Sequence, residues 1–153
     1  MTFKQRIDED IKSALKAGDR LRLDCLRMLK SKIIEREVAL RGHGADHAIA
    51  DEEAEQVVAA YAKQRRDSID SYRQGGREDL AGKEEAELAI VGEYLPRQLA
   101  EDEVVEIVRQ AIADCGASSI KEIGTVMKAV MPRVQGKADG KLVNRLVREQ
   151  LQD

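Results

Sequence analysis

The chain has no tryptophan, one phenylalanine and three tyrosines among its 153 residues, so its interior has to be built from aliphatic side chains. Two prolines leave long stretches free to stay helical. Two cysteines, Cys25 and Cys115, are too few and too far apart for a disulfide framework or a thiolate metal site. Each falls in a helical pattern, where cysteine acts as a small apolar residue, and this usage fits a reducing compartment. No stretch approaches eighteen uninterrupted apolar residues, which predicts no membrane-spanning helix. The opening MTFKQRIDED carries acids and no apolar run, so it reads as neither a secretory signal nor an anchor. Together these absences predict a cytoplasmic protein that does not engage a membrane. Catalytic signatures are missing too: there is no Walker or Rossmann glycine loop, no G-x-S-x-G, and no cue pairing a nucleophilic cysteine with a base. Carboxylates abound but scatter over several helix faces, as solvated charge does. We therefore expect no catalytic residue and no cofactor.

What the chain does have is charge, at 36% of residues, distributed with helical periodicity. Phe3, Ile7, Ile11 and Leu15 recur at i+4 behind a Thr2 N-cap and predict a helix over 3–17 that Gly18 ends. Asp19 caps a second helix to about Leu40, with Leu23, Leu26, Leu29, Ile33 and Val38 inward, and the short link predicts an antiparallel hairpin. A third helix starts at Asp51 and runs through Val58, Tyr61, Arg65, Ile69 and Tyr72 to Gly75. The two tyrosines read as packing residues at helical spacing rather than as stacking platforms for bases. A fourth starts near Glu78, carries Leu88, Val91 and Leu95, and closes at Pro96, which disfavours helical geometry in the residue before it. Beyond Leu99 come three shorter helices. The first, 101–114, is stapled by Leu99 to Val104, packs through Val104, Ile107, Val108, Ala111 and Ile112, and ends at Gly116. The second is opened by a Ser119/Glu122 capping box and ended by Pro132. The third is capped by Asp139 and buries Leu142, Val143, Leu146 and Val147. Such short helices are marginal singly and should bundle. The expected fold is all-α: an N-terminal helical domain over 1–95, made of a hairpin plus two helices, then a three-helix bundle over 96–153.

The charge is not spread evenly. Between Ser119 and Arg148 stand seven basic residues, Lys121, Lys128, Arg133, Lys137, Lys141, Arg145 and Arg148, against Glu122 and Asp139, in a chain whose net charge is −3. An acidic protein that gathers cations on one helical element has set it against a polyanion, and phosphate backbones are the commonest. A second basic stretch, 20–41, carries seven bases against three acids. The connector MPRVQGKADGK admits two readings. Gly136 and Gly140 with the amides of the last helix and Lys137 and Lys141 could cradle a phosphate; equally, it is an ordinary helix–helix turn in which Asp139 occupies those amides. His43 and His47 are four apart, but Gly42 and Gly44 oppose a helix there and no third ligand is near in sequence, so we expect no metal site.

The segments LRMLKSKI (26–33), GGREDLAGKEEAELAIVGEYLPRQL (75–99) and GTVMKAVMPRVQGKADGKLVNRLVREQL (124–151) resemble the YqeY family. Its C-terminal part is similar to the tail domain of GatB, a subunit of the glutamine-dependent aspartyl/glutamyl-tRNA amidotransferase. The resemblance covers nearly the whole chain. It implies an all-helical fold whose tail-like domain contacts tRNA, here through Lys128, Arg133, Lys137, Lys141, Arg145 and Arg148. Gly124, Pro132, Gly136, Asp139, Gly140 and Asn144 match the family pattern as shaping residues. Ala100 departs from the serine usual at that helix cap. The label that accompanies the family is carbon–nitrogen ligase with glutamine as amide donor. That reaction needs a Ser/Lys amidase subunit and an ATP-dependent site outside the tail domain. The resemblance thus implies a non-catalytic tRNA-binding protein, beside aminoacyl-tRNA synthetase or amidotransferase subunits; the alternative is a protein-interaction module whose basic surfaces meet an acidic partner in such a complex.

Overall fold

A computed structural model describes residues 1–42 and 49–152, and every regular element in them is helical. The chain divides into two compact units, Met1–Leu95 and Pro96–Asp153.

The first unit holds α1 (Phe3–Ala17), α2 (Arg20–Arg41), α3 (Asp51–Gln74) and α4 (Glu78–Gly92). A reciprocal capping box opens α1: the Gln5 amide donates to Thr2 Oγ1 at 3.2 Å, and the Thr2 amide donates to Gln5 Oε1 at 2.9 Å. Gly18 ends it at φ 68°, a left-handed geometry that costs glycine nothing, and Asp19 caps α2 by accepting from the Arg22 amide at 3.2 Å. The result is the expected hairpin, with Lys4 paired to Glu37 and Lys30 to Asp8 along its seam. Its core joins Ile7, Leu26, Leu29 and Ile33 to Val58, Tyr61 and Ala62 of α3, to Ile90 and Val91 of α4 and to Tyr94 just beyond it.

Three expectations need correction here. Val38 is 57% exposed, and Glu37 is buried in its place. The run Leu29–Ile33 continues at i+4 to position 37, whereas position 38 lies about 140° further round from Ile33. Leu15 is 58% exposed because each i+4 step drifts by about 40°, and Ala14 takes the inward place. Helix α4 stops at Gly92 rather than at Pro96. From there Glu93, Tyr94 and Leu95 donate three residues back, to Ile90, Val91 and Gly92, in a tighter winding that turns Tyr94 inward. The Tyr94 ring meets Phe3 edge-on at 6.0 Å, lies 4.7 Å beneath the Arg6 guanidinium, and its hydroxyl donates to Asp10.

The second unit holds α5 (Glu101–Cys115), a 3-10 turn (Ile120–Glu122), α6 (Ile123–Val134) and α7 (Gly140–Leu151). Its core is almost entirely valine: Val104, Val108, Val126, Val130, Val134, Val143 and Val147, with Ala111, Leu146 and Leu151. Stiff β-branched chains pack here where aromatics are absent. The α5 cap is half built. The Ala100 amide donates to Glu103 Oε1 at 3.2 Å, while the Ala100 methyl has no oxygen to return the bond. Gly116 closes α5 in left-handed geometry, as the sequence suggested.

Ser119 and Glu122 do not open α6 directly: they head the 3-10 turn, where Glu122 Oε2 accepts from the Ser118 and Ser119 amides at 2.6 and 3.1 Å. Pro132 does not end α6. It lies inside the last turn, which continues to Val134 because that side chain is fully buried in the core. A proline forfeits one backbone bond, and the buried valine offsets it.

Candidate functional site

The connector between α6 and α7 is held as a tethered turn. Gly136 sits at φ 75°, the amides of Lys137 and Ala138 both donate to Val134 O at 2.8 and 3.0 Å, and Asp139 Oδ1 accepts from the Lys141 amide at 3.3 Å. Its outer carbonyls are taken by the residues leading into α5: Gln98 Nε2 donates to Gly136 O at 2.9 Å and the Leu99 amide to Lys137 O at 2.8 Å. Gln98 and Leu99 thus shape the site without having been singled out for it in the sequence. The only cue was Leu99 as a staple to Val104, and both do join the same core.

All six cations singled out for phosphate contact are exposed. Lys141, Arg145 and Arg148 stand at spacings of four and three on α7, opposite the buried Val143, Leu146, Val147 and Leu151. Their surroundings differ. Arg145 is gripped by Glu101 of α5 at 3.0 Å and by Glu149 at 2.9 Å, and Arg148 Nε donates to Asn144 Oδ1 at 2.8 Å. Arg133 points to the end of α5, where Asp114 meets it at 3.1 Å. Lys128 and Lys137 make no ion pair among the described residues. The shaping residues occupy distinct stations: Gly124 in the first turn of α6, Pro132 in its last, Gly136 and Asp139 in the connector, Gly140 at the first position of α7, and Asn144 under Arg148. Of the three glycines, Gly136 alone has a backbone angle that demands glycine.

Ion pairs also link helices elsewhere in the chain. Across α3 and α4, Arg65 lies 2.9 Å from Glu84 and 3.9 Å from Glu87, with its guanidinium 5.0 Å over Tyr61. Burial and the neighbouring Glu84 raise the Glu87 carboxyl. Burial pushes the Cys25 thiol up to about 11, so it stays protonated, and its Sγ donates to Glu87 O at 3.7 Å. At the head of α5, the Arg97 guanidinium and the Ala100 amide pull the Glu103 carboxyl down to about 2. Among the described residues no cluster of three or more His, Cys, Asp or Glu is arranged to hold a metal, and no helix is long and apolar enough to cross a membrane. His43 and His47 lie outside the described residues.

These features define an all-α protein with a cationic helical face. The chain belongs to the YqeY family: the family model described as Yqey-like protein matches residues 4–151. It is also similar to "Altered inheritance of mitochondria protein 41, mitochondrial" of Pyrenophora tritici-repentis, at 27% identity over 94% of this chain and 78% of that protein. Proteins of the same name match over shorter stretches. That of Saccharomyces cerevisiae is 32% identical over 56% of this chain and 44% of its own length. That of Vanderwaltozyma polyspora is 35% identical over 58% and 46%. The matched stretch thus spans less than half of the yeast relatives. These names overturn the expectation of a cytoplasmic protein, because the relatives are mitochondrial. Scarce cysteine and the lack of long apolar runs do not separate a cytosol from a mitochondrial interior.

Proposed function

We propose that the chain is a non-catalytic accessory protein that binds tRNA by shape and phosphate contacts, with Pro96–Asp153 acting as a tail-like three-helix domain. The observation that carries this reading is the outward stripe Lys141, Arg145 and Arg148 on α7, with Lys128 and Arg133 exposed on α6 and Lys137 on the connector, in a chain of net charge −3. The ion pairs that hold Arg133 and Arg145 are exposed, so each is worth about 0–1 kcal/mol. A phosphate offers a guanidinium the same paired geometry and displaces a carboxylate at small cost. Asp139 fills the amide of Lys141, which leaves side chains rather than the helix terminus to make the contacts. Rigid helices that present charge without a catalytic centre suit a protein working beside an aminoacyl-tRNA synthetase or amidotransferase subunits.

Filter binding of unmodified tRNA tests the reading. Five or six phosphate contacts give a slope of log K against log salt of about −4.5 to −5.5. Lys137→Glu with Lys141→Glu should weaken binding to unrelated tRNAs alike. No retention at low salt, or retention indifferent to the double substitution, refutes it.

A further inference from the structure

Among the described residues seven large hydrophobic side chains are exposed, and six of them fall within residues 1–41: Met1 ahead of α1, and Leu15, Leu21, Met28, Ile34 and Val38 on the α1–α2 hairpin. Single exposed apolar residues are ordinary, whereas neighbours on one helix face mark an interaction surface. On α2, Ile34 (39% exposed) and Val38 (57%) stand one turn apart. Arg27 lies seven residues before Ile34 and Arg41 three after Val38, so the four share one stripe about 21 Å long. Both arginines are exposed and make no ion pair among the described residues, whereas Lys4 and Lys30 of the same hairpin are matched by Glu37 and Asp8. The stripe is therefore apolar in its middle and positive at both ends.

We propose that this face docks a helix of another protein that carries an apolar stripe bordered by carboxylates. The two exposed arginines select acidic borders and repel basic ones, while Ile34 and Val38 call for side chains that a phosphate backbone lacks. A second copy fits less well. Among the described residues outside the hairpin, Val105 on α5 is the one exposed large apolar side chain, a single contact where this face calls for an apolar stripe. This surface lies in the first unit and stands apart from the tRNA reading.

Fluorescence anisotropy with the full chain, free of RNA, tests the proposal using three synthetic peptides: a leucine-striped helix bordered by glutamates, the same helix bordered by lysines, and polyglutamate. The glutamate-bordered helix should bind at least tenfold tighter than either control. Ile34→Asp with Val38→Asp, and separately Arg27→Glu with Arg41→Glu, should each reduce that affinity at least tenfold. All four positions are exposed, and unchanged helical circular dichroism certifies the variants before titration. Equal binding of the two helices, or no loss in either variant, overturns the proposal. So does sedimentation showing copies that pair through this face and separate on Val38→Asp. Displacement of the peptide by tRNA, lost on Arg27→Glu with Arg41→Glu, assigns the face to RNA and overturns it as well.

Discussion

Glu37 is 4% exposed, and its cation is Lys4, whose Nζ lies 2.9 and 3.2 Å from the two carboxylate oxygens. The two ends of this pair are unequal, with side-chain exposures of 35% for Lys4 and 6% for Glu37. Removing one partner of a buried pair costs about 3–5 kcal/mol, because the charge left behind has lost its water and its counter-ion. Lys4 is partly wet, so water replaces some of what its ammonium supplies, and Lys4→Met should destabilise by about 2–3 kcal/mol. Glu37→Met should cost less than about 1 kcal/mol, since the lysine left behind swings into solvent on a flexible stem. With both replaced, stability should return to within about 1 kcal/mol of the parent. For a chain of this size, with a urea m-value of about 2 kcal/mol per molar, Lys4→Met moves the unfolding midpoint down by about 1–1.5 M. Urea melts followed by circular dichroism measure all three variants. If the two single substitutions cost the same, the pair behaves as an ordinary surface contact, and the argument from unequal burial is wrong.

Two further outcomes follow from the head of α5. Ala100→Ser supplies the missing cap oxygen to a backbone already in cap geometry, φ −70° and ψ 158°, and should stabilise by about 1 kcal/mol, read as a raised urea midpoint; an unchanged midpoint rejects it. Glu103 is held at about 2 against an ordinary 4.5, so its contribution to stability is fully present above pH 4.5 and is lost as the pH falls toward 2. Glu103→Gln should flatten the acid-denaturation profile in that window, and an undiminished slope there counts against the Arg97–Glu103 contact.

The helices were legible because their ends are written locally. Thr2, Gly18, Asp19, Gly116 and Asp139 each act within a few residues, and the structure uses each as its type dictates. What was not legible depends on turns of drift or on distant partners. Leu15 and Val38 satisfy an eye for apolar residues, yet the 100° step of the helix carries them off the core, and Glu37 enters only because Lys4 arrives from another helix. Tyr94 was unpredictable for the same reason: its partners Phe3, Arg6 and Asp10 lie more than eighty residues away. Spacing put Lys141, Arg145 and Arg148 on one face of α7. That Glu101 would reach across 44 residues to hold Arg145 is a property of packing, which periodicity does not carry.

Where the C-terminal unit can be cut follows from the bonds that Gln98 and Leu99 make to the carbonyls of Gly136 and Lys137. Trimming back to the first residue of α5 would keep all three helices yet remove the staple that fixes the bend between the last two. Those few non-helical residues ahead of the bundle therefore belong to it, and a fragment meant to keep the geometry of its cationic bend has to begin at or before Gln98.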